Sequence, residues 1–191
     1  MKKSLGPKTV AFPLPAYLVG AYDEKGHPNI MTAAWGGILS SSPPTIGVSV
    51  RPTRLTFDCV THHKAFTVSF PPAGLYVETD FAGLASGRQR DKFAATGLTP
   101  VDSALVSAPY VAECPVVAEC ELYKTLELGS HVLFVGKILD IKAEENLETD
   151  GELDPLKVNP LIFAGQGYYR LGGFLGKAFD SGHRIVNREA E

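Results

Sequence analysis

The sequence has few cysteines, no long apolar run and no excess of charge of one sign. Only Cys59, Cys114 and Cys120 are cysteines, and no two of them have the C-x-x-C spacing. This number and spacing fit neither a disulfide framework nor a zinc site, and instead predict buried thiols in a reducing cytosol. A net charge of −3 argues against binding nucleic acid through a basic surface.

The sequence also lacks the patterns of membrane and exported proteins. No stretch approaches the ~20 apolar residues that a membrane-spanning helix needs. Lys2 and Lys3 are followed by Pro7, Pro13 and Pro15, which interrupt any apolar helical run of a signal peptide. We therefore expect a cytoplasmic protein. The length, with no internal repeat and no long linker, predicts one domain over residues 1–191.

Several catalytic motifs are missing as well. No G-x-S-x-G or H-E-x-x-H pattern occurs, which argues against hydrolases and metalloproteases. Gly165-Gln-Gly167 begins like a dinucleotide fingerprint but lacks the third glycine and the βαβ context. His62 and His63 have no partner at metal-ligand spacing. We expect no metal site.

The sequence does contain many short alternating segments separated by its 19 glycines and 14 prolines. Thr53 is predicted to cap a helix from Arg54 to about His62, and Gly97 to end a short helix containing residues 91–96. Residues 36–42 are small and polar and predict a connection. Six or more locally connected strands with few helices predict a mainly β fold, a closed or nearly closed barrel. The predicted strands are 16–22, 29–35, 45–50, 65–70, 116–124 and 131–141.

Two arginines stand where a strand meets a helix. A helix N-terminus carries partial positive charge and unpaired N–H groups, so Arg51 and Arg54 are unfavourable there unless an anion binds. Thr53 and Thr56 add hydroxyl groups suited to phosphate oxygens. The residues alone leave two interpretations open: an anion site, or a solvated arginine pair beside a threonine cap.

A second segment has small side chains followed by the single tryptophan. Thr32, Ala33 and Ala34 would let main-chain groups reach the edge of a flat ring system, and Trp35 would form a wall. Taken alone, this pattern is more often that of an ordinary barrel core.

Together these segments resemble the flavin reductase-like family, which has the FMN-binding split barrel, and most closely its flavoredoxin branch. The resemblance covers nearly the whole chain. It rests on residues 29–35, 42–44, 49–54 with Thr56, 91–97, 129–131 and 168–172.

The resemblance implies a homodimer of six-stranded Greek-key split β-barrels with a few short helices and one FMN per subunit. It assigns residues 29–35 to the isoalloxazine ring, 51–56 to the phosphate, and Lys92 with Phe93 to a covering segment. His131 and Lys92 are the implied catalytic residues, and the tyrosine pair is placed at the rim of the flavin. The implied cofactor-binding residues are Asn29, Met31, Thr32, Ala33, Ala34, Trp35, Ser49, Val50, Arg51, Thr53, Arg54, Thr56, Lys92, Phe93, Tyr168 and Tyr169.

The expected function is electron transfer from NAD(P)H or a redox protein to an acceptor through bound FMN. Two alternatives stay open: a reductase of ferric complexes, and a flavin- or haem-binding carrier without turnover of its own. The residues identify neither donor nor acceptor.

Overall fold

A computed structural model describes residues 1–181 and 183–186 of the chain. The fold is mainly β with a few short helices, as the sequence predicts. The strands are β1 (Leu14–Pro15), β2 (Tyr17–Tyr22), β3 (Pro28–Ala33), β4 (Gly36–Ser41), β5 (Pro44–Val50), β6 (Ala65–Phe70), β7 (Pro100–Asp102), β8 (Pro109–Val111), β9 (Val116–Glu127), β10 (Val132–Ala143), β11 (Glu148–Thr149), β12 (Glu152–Leu153), β13 (Ile162–Ala164) and β14 (Gly167–Tyr169).

The helices are short and connect or cover strands. They are α1 (Leu55–His63), α2 (Tyr76–Leu84), α3 (Lys92–Thr96), α4 (Pro155–Val158) and α5 (His183–Val186), with 3₁₀ turns at Ala73–Leu75 and Glu145–Leu147. None of them is long and apolar enough to cross a membrane, a finding that covers residues 1–181 and 183–186 only.

The largest sheet is antiparallel and has the strand order β3-β2-β6-β9-β10-β5-β4. Its two edge strands, β3 and β4, are consecutive in the chain and are joined by Ala34 and Trp35. The Ser49 N–H donates a hydrogen bond to the Trp35 carbonyl (2.8 Å), and β3 contacts β5. The sheet therefore curves back on itself into a barrel that is split between its edge strands.

Side-chain alternation along β2 and β3 builds two apolar layers. Val19 and Met31 point into the barrel, whereas Leu18 and Ile30 point outward beneath α2 and α3. Both faces of these strands are thus buried, which explains why they read as nearly continuous apolar runs. Helix α1 packs into the barrel layer through Cys59 and Val60. Cys59, Cys114 and Cys120 are buried and unpaired, as predicted.

The prediction that residues 36–42 form a connection was wrong. Gly36–Ser41 is strand β4, paired in register with β5, so the sheet has seven strands where the resemblance implies six. The glycines disfavour a strand intrinsically, but they permit the pairing. A Cβ at Gly36 would lie 2.4 Å from the Gly47 carbonyl oxygen, so only glycine allows the two backbones to approach this closely.

The predicted start of α1 was also wrong. The N-cap is Arg54, which has no side-chain capping bond, and Thr53 is exposed one residue earlier. A tight turn, in which the Arg54 N–H donates to the Arg51 carbonyl (3.0 Å), replaces the threonine cap. The second predicted helix is confirmed: Asp91 caps α3 by accepting from the Ala94 N–H (3.0 Å), and Gly97 ends it with φ 73°.

Candidate functional site

A cavity of about 180 Å³ opens where β3 gives way to β4, and we call it the Trp35 cavity. Strands β3 and β5, the start of α1 and the turn before β10 all contribute to it. Its lining residues are Met31, Thr32, Ala33, Ala34, Trp35, Ser49, Arg51, Arg54 and His131, all of them predicted site residues. The fold therefore brings together segments that are 80 residues apart along the chain.

The β3 side of this cavity is main chain with little side-chain cover. Met31 and Ala33 are buried in the barrel, and the Thr32 hydroxyl donates to the Thr79 carbonyl of α2. Because β3 is an edge strand, alternate residues have N–H and C=O groups without a strand partner. Such groups can bind the hydrogen-bonding edge of a flat heterocycle, with the Trp35 indole, 41% exposed, as a side wall.

Arg51 and Arg54 line the cavity, and a third cation, Lys92, lies close enough to Arg54 to feel its charge. Arg51 is exposed, Arg54 is half-buried at the positive N-terminal end of α1, and Lys92 is buried. Among the described residues, none of the three forms an ion pair with a carboxylate. Uncompensated positive charge of this kind suits a phosphate group.

Lys92 is only 5% exposed, and its ammonium links two elements. Nζ donates to the carbonyl oxygens of Ile30 on β3 (2.8 Å) and Ala82 on α2 (2.7 Å). Burial, and then the charge of Arg54, lowers the pKa of Lys92 to about 8. An ammonium has three N–H donors, so one remains for a further acceptor.

Lys92 lines a neighbouring cavity of about 250 Å³ together with Asn29, Leu55 and Gly87, here called the Asn29 cavity. The Asn29 side-chain amide donates to the Thr56 hydroxyl (3.0 Å), and both side chains are buried. Asn29 and Thr56 were predicted site residues, and the structure places them in contact with each other.

The loop between α2 and α3 is a part of this region that the sequence reasoning missed. A Cβ at Gly87 would lie 2.3 Å from the Asn29 side-chain oxygen and 2.9 Å from Leu55 Cδ2. Arg88 forms an ion pair with Asp58 of α1, which fixes the loop across the start of that helix. The sequence signal that could have pointed to this loop is Gly87, which stands between Ser86 and Arg88.

His131 lies one residue before β10 and packs on Trp35, with ring centroids 4.7 Å apart. Its Nδ1 is 2.9 Å from the Ser130 hydroxyl oxygen, and its Nε2 is 3.4 Å from Arg51 Nε. Partial burial, with Arg51 as the second cause, lowers the pKa of His131 below its ordinary value. Nε2 therefore acts as a hydrogen-bond acceptor toward the Arg51 guanidinium.

Other predicted residues lie elsewhere. Phe93 packs in the outer apolar layer with Leu18 and Ile30, and Val50 lies in the barrel core. Thr53 is exposed and lines neither cavity. None of these three residues lines the Trp35 cavity or the Asn29 cavity.

Tyr168 and Tyr169 line a separate cavity with Tyr76 and Arg170. The Tyr168 hydroxyl donates to the Asp80 carboxylate (3.0 Å) on α2. Thr79, the next residue of that helix, is the one that contacts Thr32 of β3. Helix α2 thus lies between the tyrosine pair and the Trp35 cavity.

Comparison with known proteins agrees with this architecture. The family model described as "Flavin reductase like domain" matches residues 9–172. The structure of flavoredoxin from Desulfovibrio vulgaris (Miyazaki F) is 47% identical, with a TM-score of 0.91 over 95% of this chain and 100% of that chain. Flavoredoxin from Methanosarcina acetivorans is 30% identical, with a TM-score of 0.89 over 97% and 100%. An FMN-binding protein from Thermus thermophilus is 28% identical, with a TM-score of 0.78 over 92% and 99%. This chain is a member of the flavin reductase-like family.

Proposed function

We propose that this protein binds FMN and uses it to transfer electrons from a donor to an acceptor. The observation that carries the proposal is that Arg51 and Arg54 line a cavity walled by Trp35, with Lys92 near Arg54. None of the three cations has a carboxylate partner among the described residues. A flavin mononucleotide combines the two matching features, a flat ring system and one phosphate. Flavoredoxins and an FMN-binding protein are among the similar structures, which supports FMN as the cofactor.

Each part of the cofactor has candidate partners in this chain. Arg51 and Arg54, with the free N–H of Lys92, would hold the phosphate. Main-chain groups of β3 and β4 around Ala33 and Ala34 would meet the polar edge of the ring, and Trp35 would cover one side. Asn29, Thr56 and Gly87 would support this arrangement by fixing the loop and helix around Lys92.

When bound, FMN supplies reversible uptake of electrons or a hydride. The protein's own residues orient it and set the local charge. The positive charge of Lys92 and Arg54 favours an anionic form of a neighbouring group. His131 lines the cavity against Trp35, and its imidazole is a side chain there that can exchange a proton with a bound group.

The electron donor is NAD(P)H or a redox protein, and an anaerobic titration distinguishes these two. The purified protein should show the visible absorption bands of oxidised flavin and no haem Soret band. Bleaching by NADH or NADPH identifies a reductase, and bleaching only by dithionite or a reduced partner protein identifies a partner-fed carrier. Rapid reoxidation by ferric citrate would identify a ferric-complex reductase. A protein that neither retains FMN nor binds it when FMN is added would overturn the proposal.

We further propose that the protein is a homodimer. Tyr123 and Leu128 are exposed at the far end of the β9–β10 ribbon, and Phe174, Leu175 and Phe179 are exposed in the segment after β14. Large exposed apolar side chains in these two segments are candidates for an interaction surface. Sedimentation of the flavin-loaded protein should give a mass of two chains. A mass near the 20.5 kDa of one chain would overturn the dimer.

A further inference from the structure

A larger groove lies next to the Trp35 cavity, with a volume of about 560 Å³, and we call it the apolar groove. One wall is the segment preceding β1, and the floor and other wall come from β4, β5 and β10. Its lining residues are Lys8, Thr9, Val10, Ala11, Leu14, Trp35, Gly36, Gly37, Ile38, Leu39, Gly47, Ser49 and Leu133. This volume falls within the range of roughly 300–1,000 Å³ typical of small-molecule sites.

Paired glycines create the depression. Gly37 of β4 and Gly47 of β5 are register partners. A Cβ at Gly47 would lie 2.8 Å from Leu39 Cδ1 and 3.0 Å from Leu133 Cδ1, so these two leucines pack directly over the backbone. A Cβ at Gly37 would meet nothing within 4 Å. The floor of the groove is therefore open at Gly37, and leucine side chains form its wall at Gly47.

The lining favours an uncharged, apolar ligand. Lys8 is the single charged residue among the lining residues, and no carboxylate is present. A charged ligand would lose its hydration here without gaining partners. The diphosphate of a pyridine nucleotide is a poor match for one lysine, so the groove suits an acceptor better than NAD(P)H. The indole of Trp35 offers an aromatic surface for stacking.

The groove is continuous with the proposed flavin site. Trp35 and Ser49 line both the apolar groove and the Trp35 cavity. A molecule in the groove therefore contacts the same indole that walls the cavity. Adjacency of this kind allows direct transfer from a bound flavin to a molecule in the groove.

We propose that the apolar groove binds an uncharged aromatic electron acceptor of the quinone class, an inference that rests on the proposed function. In the reaction, two electrons and two protons pass from reduced FMN to the quinone. The two quinone C=O groups become C–OH groups, and FMN returns to its oxidised form.

The test uses Gly37→Leu, which fills the open floor, and Gly74→Leu as its matched control. A Cβ at Gly74 also meets nothing within 4 Å, but Gly74 lies in the 3₁₀ turn before α2, outside the groove. Flavin-loaded protein is reduced and then mixed with menadione or with ferricyanide, a charged acceptor. We expect Gly37→Leu to raise the KM for menadione at least tenfold relative to the KM for ferricyanide. Gly74→Leu should leave that ratio at the parent value, and an unchanged ratio in Gly37→Leu would overturn the proposal.

A binding measurement tests the groove without turnover. Equilibrium dialysis of menadione against the oxidised protein should find one quinone per chain for the parent and Gly74→Leu, and at least tenfold weaker binding for Gly37→Leu. If the parent binds no menadione, the proposal is wrong. If Gly37→Leu instead halves the sedimenting mass, the groove is a contact between two copies, which also overturns it. In both of these cases the proposed function would still stand if the protein retains its flavin absorption bands and these bleach on reduction.

Discussion

The imidazole of His131 and the indole of Trp35 pack at a tilt of 40°, with ring centroids 4.7 Å apart. Trp35 joins the two edge strands of the barrel, and His131 precedes β10 on the other side of the cavity. This contact links two sides of the Trp35 cavity, because both residues line it. It also places the one titrating ring that lines the cavity between an aromatic wall and Arg51.

His131 should therefore make flavin reduction depend on pH. Because partial burial and Arg51 lower its pKa below 6.5, the protonated form grows only as pH falls through that lower value. If His131 supplies a proton, the rate should rise as pH falls, and His131→Ala should abolish the rise and slow the step by ~10²-fold. Rapid mixing with dithionite or NAD(P)H measures this. His131→Gln, which keeps a hydrogen-bonding side chain, is the control, and a parent-like pH profile in His131→Ala would leave the histidine a structural role only.

Removal of Arg51 or Arg54 should weaken FMN more than riboflavin, which lacks the phosphate. A lost charge-assisted hydrogen bond costs about 1.5–3 kcal/mol, so FMN affinity should fall about tenfold to a hundredfold. Fluorescence titration of the apoprotein with each flavin gives both dissociation constants. Arg170→Ala, an exposed arginine in the separate tyrosine-lined cavity, should change neither. Equal weakening of both flavins would contradict the phosphate assignment.

Lys92 should make the stability of the apoprotein rise with pH. Its pKa is about 8 in the folded chain, below its ordinary value of 10.5, so the unfolded chain binds more protons between these two values. The free energy of unfolding should therefore increase with pH in that window, by at most about 1.4 kcal/mol per pH unit. Urea unfolding of the parent and of Lys92→Met, whose side chain is neutral, isolates this contribution.

The same titration reports on the cofactor. A phosphate near Lys92 would favour its charged form and raise its pKa. Bound FMN should therefore flatten the pH dependence in the parent, whereas riboflavin should not. Identical slopes with and without FMN would place the phosphate away from Lys92.

Gly87→Ala should destabilise the protein and weaken FMN binding. The added Cβ would lie 2.3 Å from the Asn29 side-chain oxygen, so the loop or the Asn29–Thr56 hydrogen bond must shift. Overpacking of this kind costs about 1–3 kcal/mol. Gly74→Ala, whose Cβ meets nothing within 4 Å, should have the same midpoint of urea unfolding as the parent. If Gly87→Ala matches the parent in both stability and FMN affinity, the loop can shift to make room for the added Cβ.

The sequence predicted those elements whose alternation is strong, such as the strand at Ala65–Phe70. It missed β4, where Gly36 and Gly37 hide the strand pattern and pairing with β5 decides the structure. The burial of Lys92 was also beyond sequence reasoning, since lysines are rarely buried and its two carbonyl partners come from distant segments. The convergence of Arg51, Arg54, Trp35 and His131 was predicted through the family resemblance. Their contacts with flavin stay predictions.

The split between β3 and β4 has a consequence for handling the protein. Bare strand edges readily pair with other chains and promote aggregation. Here both edges of the largest sheet lie on one continuous segment, residues 28–41, and the Trp35 cavity opens between them. A ligand bound in this cavity would therefore also shield the two strand edges from pairing with other chains. Loss of the ligand would then appear first as reduced colloidal stability, before any loss of fold.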